Sequence, residues 1–302
     1  MKRNSKSLSI LIPTYNDICV TLVRDLLDQC NDATGLDFEI LVGDDGSTSK
    51  TSIDSNRQID TLPHCRFIRR DENRGRAAIR NFLAREAQYA WLLFIDSHMS
   101  IIDAGFIEKY LSHADGDDIL YGGYRVVGDE DAHRGNLRWK YEVSCQEALT
   151  AENRAKNPYA NFHTSNFCIP REVMLSHPLD ERFTHYGYED VLYGKTLKEA
   201  GIHIRHINNP VGFGRFEDNV KFLHKTEEAL HTLHQFREEI GDYSRMLTII
   251  KKIKHYHLLW IPRYLHIPLR PLLRRNLTGK HPSLKAFNLY RMGEFLRLKI
   301  EN

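Results

Sequence analysis

The sequence predicts an α/β protein whose central sheet is mostly parallel and is flanked by helices. Short apolar runs occur four times in the first hundred residues, as is typical of strands buried on both faces of a parallel sheet. Segments with helical patterning separate these runs, which begin 26–30 residues apart. Strands and helices that alternate at this spacing form right-handed βαβ units. The predicted strands comprise residues 8–12, 38–42, 65–69 and 91–95.

The composition is that of a globular chain that can bury one large core. Of the 302 residues, 41% are hydrophobic and 27% are charged, and no uncharged apolar run is long enough to span a membrane. The five cysteines are scattered without a CxxC pair, which argues against a disulfide framework or a zinc site. Residues 1–7 show no signal-peptide pattern. These features predict a cytoplasmic protein.

The net charge of +2 conceals a basic C-terminal segment. Residues 251–302 hold 12 lysines and arginines against two glutamates, so their formal charge is +10 and that of the preceding chain is −8. Because Trp260 and several leucines lie in the same segment, we expect peripheral attachment to the anionic inner face of the cell membrane. The alternative is that these helices pack on the rest of the chain or on a partner subunit. Nucleic acid is not an expected partner, since no binding motif accompanies the charge.

Polar and charged residues follow the first three predicted strands, at the edge where open α/β sheets bind ligands. Thr14 and Tyr15 come after the first strand. The two acids after the second, Asp44 and Asp45, are placed to accept hydrogen bonds from a base or a ribose, although such residues also form ordinary turns. After the third strand, the arginines at 76 and 80 lie in the first turns of a helix, where they favour a phosphate. Solvated surface arginines are the alternative there.

Asp96 and His98 follow the fourth strand, two residues apart. If the chain stays extended there, both side chains point to the same side. A carboxylate and an imidazole could then share a divalent cation, and that cation could hold a diphosphate. The alternative is that Asp96 caps a helix and His98 is an ordinary loop residue.

Glu189 and Asp190 form a second acidic centre, at the start of a helix predicted over residues 189–200. The positive end of the helix dipole keeps a carboxylate ionised there. An ionised carboxylate that faces a sugar can remove the proton of an acceptor hydroxyl. Plain capping of the helix is the alternative. The preceding polar and aromatic loop, residues 159–167, contributes His163 and Asn166 as substrate contacts, unless these two residues serve only to hold the loop.

Four motifs in order and in register connect these residues to a known family. They are LSILIPTYN at 8–16, DDGS at 44–47, NRGRAAIRN at 73–81 and FIDSH at 94–98. Together they resemble the family-2 glycosyltransferases of the GT-A fold, of the type that makes bacterial polysaccharides and glycoconjugates. The resemblance implies that a nucleotide-diphosphate sugar, a UDP-sugar by preference, lies over these loops with Mn²⁺ or Mg²⁺ at the acid motif. The residues expected at the donor are Thr14, Tyr15, Asp44, Asp45, Arg76, Arg80 and Asp96.

The resemblance also implies the chemistry. Asp190, in the Glu-Asp pair with Glu189, would take the proton of a hydroxyl on a glycan or lipid-linked acceptor, and the sugar would be transferred with inversion. Two positions depart from the family pattern at the metal. His98 replaces the second acid of the Asp-x-Asp motif, as in glycosyltransferases that act on polypeptides. Phe213 occupies the place where relatives often carry a histidine ligand, so His98 would compensate or His206 or His224 would substitute.

The sequence therefore predicts a GT-A catalytic domain over residues 5–240 and a helical, basic extension over residues 241–302. The expected activity is that of a metal-dependent hexosyl- or N-acetylhexosaminyltransferase in polysaccharide biosynthesis. A nucleotidyltransferase is one alternative, but residues 8–16 lack the glycines of a phosphate loop. The other alternative is a non-catalytic nucleotide-sugar binding protein, in which His98 and Phe213 mark a degraded metal site.

Overall fold

The computed structural model describes residues 7–298, without the side chains of residues 261–263. Residues 5 and 6 of the predicted catalytic domain and residues 299–302 of the predicted extension lie outside the described residues. The strands within the described part are β1 (Ser7–Thr14), β2 (Asp37–Asp44), β3 (Cys65–Arg69), β4 (Trp91–Ile95), β5 (Met99–Ser100), β6 (Ile119–Tyr121), β7 (Tyr124–Val126), β8 (Asn166–Pro170), β9 (Ile204–His206) and β10 (Val211–Phe213).

The helices lie between and after these strands, with short 3₁₀ turns at Arg57–Thr61 and Gly241–Tyr243. They are α1 (Val20–Asp32), α2 (Lys50–Asn56), α3 (Arg76–Glu86), α4 (Phe106–His113), α5 (Glu130–His133), α6 (Leu137–Cys145), α7 (Ala151–Ala155), α8 (Arg171–Ser176), α9 (Glu189–Glu199), α10 (Asn219–Gln235), α11 (Arg237–Ile240), α12 (Arg245–His255), α13 (Trp260–Leu277) and α14 (Leu284–Leu298).

A mixed, mainly parallel sheet forms the centre of the described chain, in the order β3-β2-β1-β4-β8-β6-β9. The four strands predicted from the apolar runs are confirmed as β1 to β4, and they pair in parallel. Among the described strands of this sheet, only β8 runs in the opposite direction, between β4 and β6. The carboxyl ends of β1, β2, β3 and β4 therefore share one edge.

Both faces of the sheet are covered, which explains why its inner strands carry apolar residues toward both faces. Successive side chains of a strand point to opposite faces. Ile10 and Ile12 of β1 accordingly join a core with α1, whereas Leu11 joins a second core with α3. All five residues of β4 are buried.

A small second sheet, in the order β5-β10-β7, begins directly after the acid motif. Strand β5 begins at Met99, directly after His98, and pairs antiparallel with β10 so that Met99 lies opposite Phe213. This pairing brings the segment that follows Asn209 and Pro210 against the acid motif.

The C-terminal helices pack against the rest of the chain. Phe295 and Leu296 of α14 share a buried cluster with Leu230 and Phe236, and Phe287 shares another with helices α6 and α10. Two buried clusters thus contain residues of both the predicted catalytic domain and its C-terminal extension. Among the described helices, none combines the length and the apolar character needed to cross a bilayer.

Candidate functional site

Asp96 lies buried at the carboxyl end of β4 between two arginines of α3. One of its oxygens accepts a hydrogen bond from Arg80, and the other accepts one from Arg76 at 3.0 Å. Arg80 is only 1% exposed and also donates to the Thr164 carbonyl at 3.3 Å. Burial alone would raise the pKa of Asp96, but the charges of Arg80 and Arg76 outweigh it and the pKa is lowered. Asp96 is therefore held as a carboxylate.

Arg76 joins the two acidic centres that the sequence places far apart. Its Nη2 pairs with Asp96 and its Nε lies 2.9 Å from Oε1 of Glu189. Its guanidinium carbon lies 5.5 Å from the ring centre of Tyr186. These contacts make the acid motif after β4 and the Glu-Asp pair of α9 parts of one site.

Glu189 and Asp190 begin α9 at a tight left-handed turn, with φ of 98° at Gly187 and 67° at Tyr188. Oδ1 of Asp190 accepts the N–H of Val191 at 2.8 Å, and Oδ2 accepts a hydrogen bond from Nδ1 of His163 at 2.7 Å. Burial raises the pKa of Glu189. Burial has the same tendency at Asp190, but the hydrogen bond and charge of His163 and the charge of Arg76 lower its pKa.

The two residues of the predicted contact loop differ in position. The side chain of His163 is 35% exposed and faces Asp190. Asn166 is fully buried, and its amide group donates to the carbonyls of Gly123 and Asn209 and accepts from the Tyr110 hydroxyl. All of its polar atoms are therefore engaged within the protein, so only His163 of this pair presents a polar group at the site.

The loops after β1 and β2 are tied together. The side-chain oxygen of Asn16 accepts the N–H groups of Thr48 and Ser49, each at 2.8 Å. Tyr15 is 47% exposed beside this junction, whereas Thr14 is buried. Asp44 is buried, and its Oδ1 accepts the N–H of Ser47 at 2.9 Å. Among the predicted donor contacts after β1 and β2, Tyr15 is thus the one whose side chain is exposed.

Asp45 has a structural task in the described chain. Its carboxylate accepts the N–H of Gly75 at 2.8 Å and that of Arg74 at 3.2 Å, and it pairs with Arg70 at 3.3 Å. Burial raises the pKa of Asp45, although these hydrogen bonds and the charge of Arg70 act to lower it. Since Gly75 precedes α3, Asp45 fixes the start of the helix that carries Arg76 and Arg80.

The predicted metal ligands fit a divalent cation. Neither ring nitrogen of His98 has a hydrogen-bond partner among the described residues, and burial lowers its pKa, so the imidazole is neutral as a metal ligand must be. The two arginines leave lone pairs of Asp96 unused. Described residues contain no cluster of three ligating side chains. Two protein ligands suffice, however, when substrate phosphates complete the coordination of a hard cation.

Phe213 lies against His98, because its ring meets that of His98 edge-on at 5.4 Å between centres. The proposed substitutes lie elsewhere in the described structure. His206 contacts the Pro158 carbonyl at 2.9 Å, and His224 lies beside Glu227 at 3.5 Å.

Sequence reasoning missed Arg215, which holds the turn after β4. Its guanidinium pairs with Asp17 at 2.7 Å and donates to the carbonyls of Ser97 at 2.8 Å and His98 at 3.3 Å. The available signal was a lone arginine two residues after β10, the strand that meets the acid motif.

Comparisons with known proteins identify the family and the fold. The model of the family described as glycosyl transferase family 2 matches residues 9–177, more than half of the chain. Chondroitin synthase of Escherichia coli is 25% identical over 238 residues, which cover 68% of this chain and 34% of that protein. Validoxylamine A glucosyltransferase of Streptomyces hygroscopicus subsp. jinggangensis is 28% identical over 222 residues, covering 65% and 52%. The chain thus spans about a third to a half of these relatives.

Two solved structures share the overall fold. The mannosyltransferase PcManGT from Pyrobaculum calidifontis, in complex with GDP-Man and Mn²⁺, aligns with a TM-score of 0.54 at 16% identity over 97% of this chain and 86% of its own. Residues 1–349 of S. aureus TarS align with a TM-score of 0.50 at 17% identity over 97% and 92%. The fold is GT-A, and the chain belongs to glycosyl transferase family 2.

Proposed function

We propose that this chain transfers a sugar from a nucleotide-diphosphate donor to a hydroxyl of a glycan or lipid-linked acceptor, with inversion at the anomeric carbon. The observation that carries the proposal is the bridge of Arg76 between Asp96 and Glu189. It links Asp96 to the Glu-Asp pair of α9, which supports a shared role of these acids in the transfer. The similarity to chondroitin synthase and to TarS, described in complex with UDP-GlcNAc, favours a UDP-hexose or UDP-N-acetylhexosamine donor and a role in polysaccharide biosynthesis.

The donor would lie over the tied loops after β1 and β2. Tyr15 offers an exposed ring for stacking on the base. Asp44 is buried, and its Oδ2, which accepts no hydrogen bond within the described residues, is the oxygen that would accept one from the base or ribose. Arg76, which is partly exposed, would face the diphosphate together with the start of α3. Arg80 is buried and would act through Asp96, which it holds in the ionised form.

Asp96 and His98 would hold Mn²⁺ or Mg²⁺. When bound, the cation neutralises the charge that builds up on the leaving diphosphate. Arg215 would fix the turn that carries His98 through its hydrogen bonds to the backbone. Asp190 would provide the carboxylate on which removal of the acceptor proton depends.

Replacing His98 with alanine is expected to weaken Mn²⁺-dependent donor binding by at least about tenfold, because even residues that only support a metal ligand change affinity by that factor. Titration calorimetry with UDP-GlcNAc, in Mn²⁺ and in EDTA, measures this. His224→Ala is the matched control, since that histidine is exposed and lies against Glu227. Unchanged affinity of His98→Ala in Mn²⁺ would contradict the metal assignment.

A screen of nucleotide sugars tests the proposed function itself. The full chain would be incubated with UDP-, GDP- and dTDP-sugars, and mass spectrometry would follow release of the nucleoside diphosphate. Slow hydrolysis of at least one donor is expected, because water can replace the acceptor. Binding without cleavage of any donor would instead favour the non-catalytic binder.

We also propose that the C-terminal helices attach the enzyme to an anionic membrane on the cytoplasmic face. Residues 245–293 contain no Asp or Glu. While one face of these helices joins the core, the other exposes large apolar side chains beside lysines, a combination that matches a lipid surface of negative charge. We call these residues the basic apolar patch: Lys251, Lys252, Lys254, Tyr256, Leu258, Trp260, Tyr264, Leu265, Ile267 and Leu272.

The full chain is expected to pellet with phosphatidylglycerol vesicles, and the two kinds of side chain should contribute differently. Replacing Lys251, Lys252 and Lys254 by glutamine removes an attraction worth on the order of 1 kcal/mol per lysine, which salt also screens. Trp260→Ser with Ile267→Ser should remove the part of the binding that resists salt. The control is Leu175→Ser, an exposed leucine elsewhere. A full chain that ignores such vesicles at low salt would overturn the membrane proposal.

A further inference from the structure

Each oxygen of the Asp190 carboxylate accepts a hydrogen bond from the protein. Its Oδ1 accepts the backbone N–H of Val191 at 2.8 Å, and its Oδ2 accepts Nδ1–H of His163 at 2.7 Å. The second ring nitrogen of His163, Nε2, has no hydrogen-bond partner among the described residues, and the side chain retains 35% exposure. Nε2 of His163 is therefore a ring nitrogen that is unpartnered within the described chain and open to take a proton.

The surroundings of His163 hold the ring in place. The rings of Tyr121 and Tyr124 lie 6.3 and 6.2 Å from it, between ring centres. Glu142 is a second anion that acts on His163; it is paired with Arg138 at 2.7 Å and accepts a hydrogen bond from the hydroxyl of Tyr124. The titratable and charged groups that act on His163 from the elements around it are Asp190 (α9), Glu142 (α6), Arg154 (α7), Tyr121 (β6), Tyr124 (β7) and His206 (β9).

We propose that His163 and Asp190 act as a dyad in which Nε2 of His163 takes the proton of the acceptor hydroxyl and Asp190 orients the ring through Nδ1–H. This inference rests on the proposed glycosyl transfer and deepens it. The acceptor oxygen forms its bond to the anomeric carbon while its proton passes to Nε2. The bond from that carbon to the donor phosphate oxygen breaks, and the nucleoside diphosphate leaves with the electron pair. The resulting imidazolium is stabilised by the carboxylate at 2.7 Å.

The dyad predicts a particular pH dependence. Burial alone would lower the pKa of His163, but the hydrogen bond and charge of Asp190 outweigh it and raise the pKa above its ordinary value. Below that pKa the ring is an imidazolium and cannot take a proton. Activity should therefore rise with pH through a limb above about 6.5, the ordinary histidine value. A lone aspartate with a lowered pKa would place the limb below about 4.

The test compares His163→Asn with the full wild-type chain. The asparagine amide can replace Nδ1–H as donor to Asp190 but offers nothing in the place of Nε2. Donor hydrolysis should fall by roughly 10²–10⁴, the contribution of a positioned base, while affinity for UDP in calorimetry and the melting temperature stay unchanged. His203→Asn, at an exposed histidine, is the matched control.

Long-range proton–nitrogen NMR gives a second readout, which depends on neither donor nor acceptor. The His163 ring should titrate above about 6.5 as the Nδ1–H tautomer, and its pKa should fall in Asp190→Asn because the carboxylate charge is lost. His163→Asn with activity within a few-fold of wild type and an unmoved acid limb would overturn the dyad alone. A wild-type chain that cleaves no donor would overturn the proposed function, and the dyad's catalytic role with it.

Discussion

Asp190→Asn is expected to lower the turnover of donor hydrolysis by roughly 10²–10⁴, while folding and donor affinity persist. The asparagine is nearly isosteric, and its side-chain oxygen can still accept the N–H of Val191. What it loses is the negative charge opposite His163, on which removal of the acceptor proton depends. Donor affinity should persist because the proposed donor contacts run through Asp96 and the loops after β1 and β2.

Steady-state rates measured at saturating donor, together with calorimetric affinity for UDP, test this prediction. Asp131→Asn is a suitable control, because that acid is 77% exposed in an ion pair with Arg134. If Asp190→Asn kept most of the wild-type turnover, removal of the acceptor proton would not depend on Asp190, and Glu189, whose pKa is raised by burial, would be the remaining carboxylate of the pair to test.

Asp96→Ala is expected to destabilise the protein by about 3–5 kcal/mol, the usual cost of breaking a buried ion pair from one side. Arg80 is 1% exposed, so its guanidinium would remain buried without its carboxylate partner. Arg76 would lose one of its two acids as well. The substitution should also abolish metal-dependent donor binding, but instability would confound that result, and His98→Ala is the cleaner test of the metal.

Urea denaturation of the two proteins measures the difference in unfolding free energy. Asp54→Ala is the matched control, because Asp54 and Arg57 form an exposed pair and such pairs contribute at most about 1 kcal/mol. A similar small loss for Asp96→Ala would contradict the description of Asp96 as the compensating charge for two arginines.

The parts of the fold that local sequence determines could be predicted. The apolar runs identified β1 to β4 because strands buried on both faces need no alternation, and the strand-end rule identified the acid motif. The reversed strand β8 between β4 and β6 could not be predicted, since its pairing joins segments more than 40 residues apart. Nothing in the local pattern of β8 specifies its direction.

The candidate site was predictable as a set of residues but not as a set of contacts. Arg76, Asp96, Glu189, Asp190 and His163 all appeared as candidates from residue type and position. Which carboxylate pairs with which base depends on side chains that only the folded sheet edge brings together, such as Arg76 with Glu189. Asp45 gives a second example: it is predicted at the donor from its place after β2, and its hydrogen bond to the N–H of Gly75 before α3 is a contact that the local sequence does not reveal.

The basic tail shows the same limit in another form. Charge and composition predicted a segment that binds a membrane, with packing on the rest of the chain as the alternative. In the structure, one face of the C-terminal helices does pack on the rest of the chain. Composition does not specify which face of a helix meets the core. The exposed face carries Trp260 and Ile267, and its attachment to a membrane stays a prediction.

The central claim is that the chain breaks the bond between the anomeric carbon and the donor phosphate oxygen, and donor hydrolysis in ¹⁸O-labelled water tests it most directly. Glycosyl transfer to water puts the new oxygen on the sugar, so mass spectrometry should find a nucleoside diphosphate without the label, and its release should depend on Asp190. A nucleotidyl or phosphoryl transfer would place the label on a phosphate. Labelled nucleoside phosphate, or release that is equally fast in Asp190→Asn, would contradict the account.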